Sequence, residues 1–330
     1  MNCTSPNYMV DLGVKDNGKK NLKMITVKEY KLLVQGKNEY PNNIIEVPCG
    51  RCIACRLNYA KDWATRCMLE AKQYKHNEFL TLTYDPEHLP MKKKIDYKTG
   101  EVIINESLVK KDLQDFWKRL RKKYPGIRYF ACGEYGEKKD RPHYHAIIFN
   151  FEVKDKEKLK GHFNNEYPKF TSKEILKIWG KGRISLDEVN YNTCEYVARY
   201  IMKKQKGRGA EDFYEEKNKV PEFTIMSRKP GIAREFYENI KNNYENQVIW
   251  NKTRAGMRKA KTPRYFEKLY DLEFPEELKA IKEKKKEMQE ETLRLIMSQT
   301  DKNREEYLQV QEDNLWAKLQ KSAARKLKKI

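Results

Sequence analysis

Arg141-Pro142-His143-Tyr144-His145-Ala146-Ile147-Ile148-Phe149 is the stretch that decides the fold. It reads as a strand running from His143 to Phe151. Residues two apart on a strand share a face, so His143 and His145 project together and Tyr144 faces the other way. Two imidazoles on one face can bind one divalent ion. A lone His-x-His is commonly no more than two half-exposed side chains at the start of a strand. Here three features add to it. The chain has only five histidines, the pair opens a hydrophobic strand, and Glu134 ends the preceding strand, Ile127 to Glu134. Two nitrogens and one carboxylate, with positions left open, suit Mg²⁺ or Mn²⁺ on a phosphate oxygen.

The neighbouring segments alternate in type. Arg56 to Tyr74 has the three- and four-residue apolar spacing of an amphipathic helix, through Leu57, Ala60, Trp63, Ala64, Cys67, Met68 and Ala71. Glu78 to Tyr84 reads as a strand that Asp85-Pro86 ends. Lys92 to Asn105 predicts a hairpin around Lys98-Thr99-Gly100. Leu108 to Tyr124 predicts a helix, with Ser107 as its cap and Pro125-Gly126 as its stop. A helix over Thr171–Trp179 and a strand over Arg183–Val189 follow, then a tyrosine- and lysine-rich helix over Asn192 to Lys204. Lys206 to Asn218 reads as a charged loop. Residues 1–48 are mixed and polar apart from an apolar patch at Asn43–Val47. From Glu276 to Ile330 the charge is dense and apolar positions sparse, which predicts long helices. The order of elements from 78 to 204 points to an α+β domain, a central antiparallel sheet flanked by helices.

The helix after the last strand contains Tyr196-Val197-Ala198-Arg199-Tyr200-Ile201-Met202-Lys203-Lys204. Tyr196 and Tyr200 lie one turn apart on one face, with Lys203 near both. Tyrosines at this spacing often only pack against a core edge. Beside a cation they also suit a pair of nucleophiles, since a phenol of pKa ~10 needs help to attack a phosphodiester at neutral pH. On the strand Phe79–Tyr84, Thr81 and Thr83 share one side and are placed to touch a sugar–phosphate backbone.

Cys49, Cys52 and Cys55 stand two residues apart from one another in Pro48-Cys49-Gly50-Arg51-Cys52-Ile53-Ala54-Cys55, a spacing suited to metal ligation. A structural Zn²⁺ needs a fourth ligand: Cys3 is the first candidate, Cys67 the second. An iron–sulfur cluster is the minor alternative. The chain has 69 Lys and Arg against 48 Asp and Glu, a formal charge of +21, which points to a polyanionic partner and first to nucleic acid. Its 21 tyrosines include candidates for stacking on bases. No stretch reaches the ~18 apolar residues of a membrane span, and Met1 to Asp11 is not a signal peptide. The expected location is the cytoplasm, where seven cysteines are not expected to form disulfides.

In this order the three segments resemble the motifs of HUH-type rolling-circle replication endonucleases: Phe79–Tyr84, then His143-Tyr144-His145, then the two-tyrosine helix with Lys203. The resemblance is nearest to the initiators of the Microviridae, of the gokushovirus type. The Pro-Cys-Gly-x-Cys-x-x-Cys-Arg stretch also resembles that group, and the likeness covers roughly residues 1–230. It implies a five-stranded antiparallel sheet and a metal on His143 and His145 with an upstream carboxylate, Glu134 first and Glu137 in reserve. The implied activity is nicking of single-stranded origin DNA by tyrosine attack, giving a 5′-phosphotyrosine and later religation. Tyr200 would make the first cut and Tyr196 the second. Lys203 would assist, and Arg199 and Lys204 would hold the DNA backbone. A host polymerase and helicase are the implied partners, because the chain has no Gly-x-x-x-x-Gly-Lys-Ser/Thr loop of its own. The expected divisions are 1–75, a cysteine-knuckle segment and helix; 76–235, the nuclease; and 236–330, a helical, charged region. Two rivals stand beside this reading: a transposase or relaxase of the same superfamily, and a non-catalytic zinc-knuckle protein that binds nucleic acid.

Overall fold

The hydrophobic strand carrying the two histidines forms as Pro142–Phe149 and lies inside an antiparallel sheet. This computed structural model describes residues 3–16, 20–34, 43–95, 99–136, 139–159, 168–203, 210–245, 248–253 and 256–327; for 20, 34, 200–203, 210 and 322–327 it describes the backbone alone. Along the chain come β1 (Asn7–Val14), β2 (Lys20–Ile25), α1 (Val27–Val34), β3 (Ile44–Val47) and α2 (Ile53–Ala71). Next are β4 (Asn77–Thr83), β5 (Met91–Ile95), β6 (Val102–Glu106), α3 (Lys110–Lys123), β7 (Arg128–Tyr135) and β8 (Pro142–Phe149). They are followed by β9 (Lys156–Lys158), β10 (Phe170–Ser172), α4 (Lys173–Trp179), β11 (Ile184–Glu188), α5 (Tyr191–Lys203), α6 (Ala210–Glu216) and β12 (Phe223–Met226). The chain then runs through α7 (Arg234–Ile240), β13 (Ile249–Thr253), β14 (Gly256–Ala260), α8 (Arg264–Glu273), α9 (Pro275–Ser298) and α10 (Arg304–Leu327). Two compact units emerge, one of Met1–Asn58 with Glu283–Ile330 and one of Tyr59–Lys282.

In the larger unit the described strands form a seven-stranded antiparallel sheet in the order β12-β7-β8-β4-β11-β10-β9. The expected count was five. The excess comes from β9 and β10, three-residue strands that extend the sheet beyond β11 through Phe170↔Leu186 and Phe170↔Lys158. Strands this short carry no readable alternation. Thr171 and Ser172 therefore belong to a strand rather than to the helix predicted over Thr171–Trp179. Ser172 caps that helix, its Oγ accepting from the Ile175 amide at 3.0 Å, which satisfies one orphan donor of the first turn.

Helices cover both faces of the sheet. On one, Leu80, Leu82, Tyr144, Ala146 and Ile148 pack under α3 and α4. The α3 side chains at the contact, Leu113, Phe116, Trp117 and Leu120, follow the spacing of one helical stripe. On the other face, Phe79, Phe130, Cys132, Ile147 and Phe149 pack under α2 and α5. Ser107 does not cap α3 as expected. It is buried, and its Oγ accepts from the Val220 amide at 3.0 Å, while Val109 takes the cap position with no side-chain bond. The region read as a loop from Lys206 contains α6, anchored by buried Tyr214. The predicted hairpin forms as β5 and β6.

The turn from α4 into β11 approaches the end of β4 closely. Gly182 has φ +147, and a Cβ there would lie 2.4 Å from the Asp85 amide nitrogen and the Thr83 carbonyl oxygen. Only glycine fits. Trp179 secures the same corner: it is 1 % exposed, and its Nε1–H donates to the Thr83 carbonyl at 3.0 Å. Trp179→Ala removes the ring and that donor together. The expected loss is about 3–5 kcal/mol, read as a lower urea midpoint at unchanged slope.

In the smaller unit β1 pairs with β2 on one side and β3 on the other. Tyr8 stacks on Tyr30 of α1, with ring centroids 3.6 Å apart. Residues 1–48 read as mixed and polar because Leu12, Val14, Leu22 and Met24 are all exposed, which erases the alternation of a half-buried strand.

Candidate metal centre and tyrosine helix

Strand register places the two histidines. β8 pairs with β7 as Glu134↔His143 and Cys132↔His145, and with β4 as Thr83↔His143 and Thr81↔His145. Residues directly opposite on an antiparallel pair share a face. Thr81, Thr83, Glu134, His143 and His145 thus stand on the side of the sheet that α2 and α5 cover. Tyr144 is turned to the other side, where its hydroxyl donates to the Val109 carbonyl at 2.8 Å and accepts from the Val109 amide at 3.1 Å. The histidine strand is anchored from behind to the start of α3.

Glu134 Oε1 lies 2.6 Å from His143 Nε2 and 3.1 Å from His145 Nε2. One ligand atom from each of the three lies within 4.8 Å of the others. His143 Nδ1 sits 3.0 Å from the Arg141 carbonyl oxygen. A carbonyl only accepts, so Nδ1 carries the proton, and the neutral ring would point a bare lone pair from Nε2 at a carboxylate oxygen. Two acceptors at 2.6 Å require a cation between or upon them, a proton or a metal ion. The residues present therefore fit a metal: two nitrogens, one carboxylate and a carbonyl that fixes one tautomer.

His145 is buried, with Nδ1 3.0 Å from Thr81 Oγ1. Burial lowers its pKa to about 4, against the raising pull of its hydrogen bond to Glu134. The ring is neutral at pH 7, the form that ligates. Burial alone would raise the Glu134 carboxyl, but the hydrogen bonds from His143 and His145 outweigh it and hold it below the ordinary carboxylate range. Glu134 is 1 % exposed, whereas His143 is only half-buried, so the centre opens on the His143 side.

Tyr196 comes from α5. Its ring centroid lies 5.1 Å from that of His145 and 6.2 Å from that of Phe79. The face of α5 carrying Cys194, Val197 and Ala198 is buried, while Tyr196 stays 40 % exposed beside the histidines. Tyr200 and Lys203 lie at i+4 and i+7 on the same helix, and their side chains lie outside the described residues, as do Lys204 and Glu137. Arg199 Nη2 pairs with Glu195 at 3.2 Å. Thr83 Oγ1 donates to the Arg183 carbonyl at 3.2 Å.

Sequence reasoning did not bring Lys61 and Arg258 to this region. Lys61 is on α2 and Arg258 on β14; burial, then the charges of Arg258 and Arg199, lower the Lys61 pKa. Like charges from three elements thus crowd beside α5. Nothing in the spacing of three residues so far apart in sequence announces this, because their meeting depends on tertiary packing.

Four further metal-ligating groups meet in the smaller unit. Cys3, Cys49, Cys52 and Cys55 bring their sulfurs within 4.8 Å of one another and can hold a metal such as zinc. Cys67, the other candidate for fourth partner, is instead buried in the core under α2 with its thiol pushed up by desolvation.

The family model for the replication-associated protein ORF2 matches residues 77–205, the span from β4 to just past α5. Replication-associated protein ORF2 of Spiroplasma virus 4 is 34 % identical over 305 residues, covering 89 % of this chain and 88 % of the relative. The chain belongs to this family. Replication-associated protein VP4 of Bdellovibrio phage phiMH2K is 39 % identical over 161 residues, 48 % of each chain. Replication-associated protein ORF4 of Chlamydia phage 1 is 31 % identical over 166 residues, 48 % of this chain and 38 % of the relative. No solved structure matches. The family is that of small single-stranded DNA phages of the Microviridae, the group the motif order resembled. Among the described residues no helix is long and apolar enough to cross a membrane.

Proposed function

We propose that this phage replication-associated protein is the initiator of rolling-circle replication: a metal-dependent nickase that joins itself to single-stranded origin DNA through tyrosine. The observation that carries the reading is the trio Glu134, His143 and His145 beside the exposed Tyr196 ring. A divalent ion held by the trio, Mg²⁺ or Mn²⁺, would draw charge from the scissile phosphate oxygens. The half-buried His143 side leaves room for that phosphate. A tyrosine oxygen attacks the phosphorus in line, and its proton passes to solvent or to Lys203. The bond from phosphorus to the 3′ oxygen breaks, and that oxygen takes up a proton. The products are a 5′-phosphotyrosine and a 3′-hydroxyl, which a host polymerase extends while a host helicase unwinds the template. The phosphotyrosine ester conserves the bond energy, so religation needs no ATP. Tyr196 and Tyr200 divide the two cuts between them, with Tyr200 making the first. The crowded cations Lys61, Arg199 and Arg258 offer a path for the strand's phosphates, with Lys204 beyond them.

The test is direct. Labelled single-stranded DNA spanning the phage origin is incubated with the protein and Mn²⁺ or Mg²⁺, then run on a denaturing gel. A label that migrates with the protein, and that EDTA abolishes, is the expected result. Binding without any adduct under all metals would favour a non-catalytic nucleic-acid-binding protein, and joining of transposon-like ends in preference to the origin would favour a transposase.

A further inference from the structure

The four cysteines are brought together by sheet register. β1 and β3 are antiparallel with Asn7↔Val47 opposite each other, so the residues before β1 and after β3 emerge side by side. Cys3 lies in the first of these segments and Cys49 in the second. Gly50, with φ +72, turns the chain so that Cys52 and Cys55 follow at the start of α2. The Cys3 sulfur is 3.6 Å from that of Cys49 and 3.7 Å from that of Cys52. A disulfide would need about 2.05 Å. A tetrahedron of sulfurs ~2.3 Å from a central zinc has edges of ~3.8 Å. The observed separations are those of ligands around one ion.

The backbone favours thiolates there. The Cys49 amide donates to Cys3 Sγ at 3.3 Å, and the Arg51 and Cys52 amides donate to Cys49 Sγ at 3.4 and 3.2 Å. The Cys55 amide donates to Cys52 Sγ at 3.5 Å. Arg51 and Arg56 flank the knuckle in sequence and offset the double negative charge of four thiolates on Zn²⁺. Leu315 of α10 packs on the group formed by Cys52, Ala54 and Cys55. The same unit holds ion pairs from Lys31 to Glu305 at 2.9 Å and from Arg304 to Glu46 at 3.4 Å.

We propose that Cys3, Cys49, Cys52 and Cys55 hold one zinc ion as a closed tetrahedral site, and that this ion clasps the smaller unit, fastening the start of β1, the end of β3 and the first turn of α2 against α10. No ligand position is left for substrate, so its role is folding rather than chemistry. The inference rests on the cysteine geometry alone and stands independently of the proposed nicking.

The experiment uses the full chain purified without added metal. Elemental analysis is expected to give one zinc per chain. Titration of the native protein with an organomercurial is expected to release that zinc, read with a chromogenic chelator, as four thiols react. A chain with His143→Ala and His145→Ala is expected to keep its zinc, and a Cys3→Ser chain to lose it. Since Cys3→Ser risks misfolding, hydrogen exchange on the wild-type chain before and after zinc removal gives a second readout. Amides of β1, β3 and α10 should lose protection while those of β7 and β8 keep theirs. Iron in place of zinc, zinc that leaves with the histidine variant, or unchanged exchange on removal would each overturn the proposal.

Discussion

A chain carrying Tyr196→Phe together with Tyr200→Phe is expected to form no covalent adduct with origin DNA, a fall of roughly 10⁴-fold or more in nicking. The change removes two hydroxyls and leaves both rings, so the contacts of the Tyr196 ring with His145 and Phe79 persist and the fold has no reason to move. Binding to the same DNA should stay within about threefold, since the phosphates are held by cations rather than by phenols. Single variants divide the cycle. Tyr200→Phe should depress the first cut most, and Tyr196→Phe should allow an adduct but block release of closed circles. A double variant that still carries label on a denaturing gel would sink the nucleophile assignment.

The second large effect concerns the metal. His143→Ala with His145→Ala is expected to lower Mn²⁺ affinity at least ~100-fold and nicking by roughly 10³-fold. Calorimetric titration of Mn²⁺ and the adduct assay read the two separately. Glu134→Gln is the sharper probe, because it keeps shape and removes one charge. Without that charge the His143 and His145 rings lose the partner at 2.6 and 3.1 Å, and metal binding should fall while the near-ultraviolet dichroism of the core stays unchanged. Full nicking by the double histidine variant at ordinary Mn²⁺ concentration would remove these residues from the mechanism.

The centre was legible in the sequence where it depends on local periods. His143 and His145 share a face because a strand repeats every two residues. Glu134 was placed with them by ending the preceding strand, and the register Glu134↔His143 brings its carboxylate to the rings. The contact of Thr81 with His145 Nδ1 could not be read, since it depends on which strand lies beside β8. Nor could the meeting of Lys61 with Arg258, which lies in a hairpin far along the chain. In the fold, the core helices and strands announced themselves by buried stripes. β9 and β10 did not, being three residues each, and β1 and β2 did not, because their large apolar side chains are exposed. Ser107 looked like a cap because it precedes an apolar stripe, yet Tyr135 and Val220 claim its hydroxyl; local sequence cannot show a partner more than a hundred residues on.

The smaller unit is built from both ends of the chain, and that arrangement sets an order of events during synthesis. The last strand of the large sheet to leave the ribosome is β12, complete at Met226. The helices that close the smaller unit are made long after. A nascent chain can therefore complete its histidine-bearing sheet while β1, β3 and the cysteine knuckle still lack α10 above them. Only when Leu315 arrives does that unit gain its last wall. Messages cut short before residue 304 would yield chains with the sheet formed and the amino-terminal strands uncovered, ready prey for host proteases.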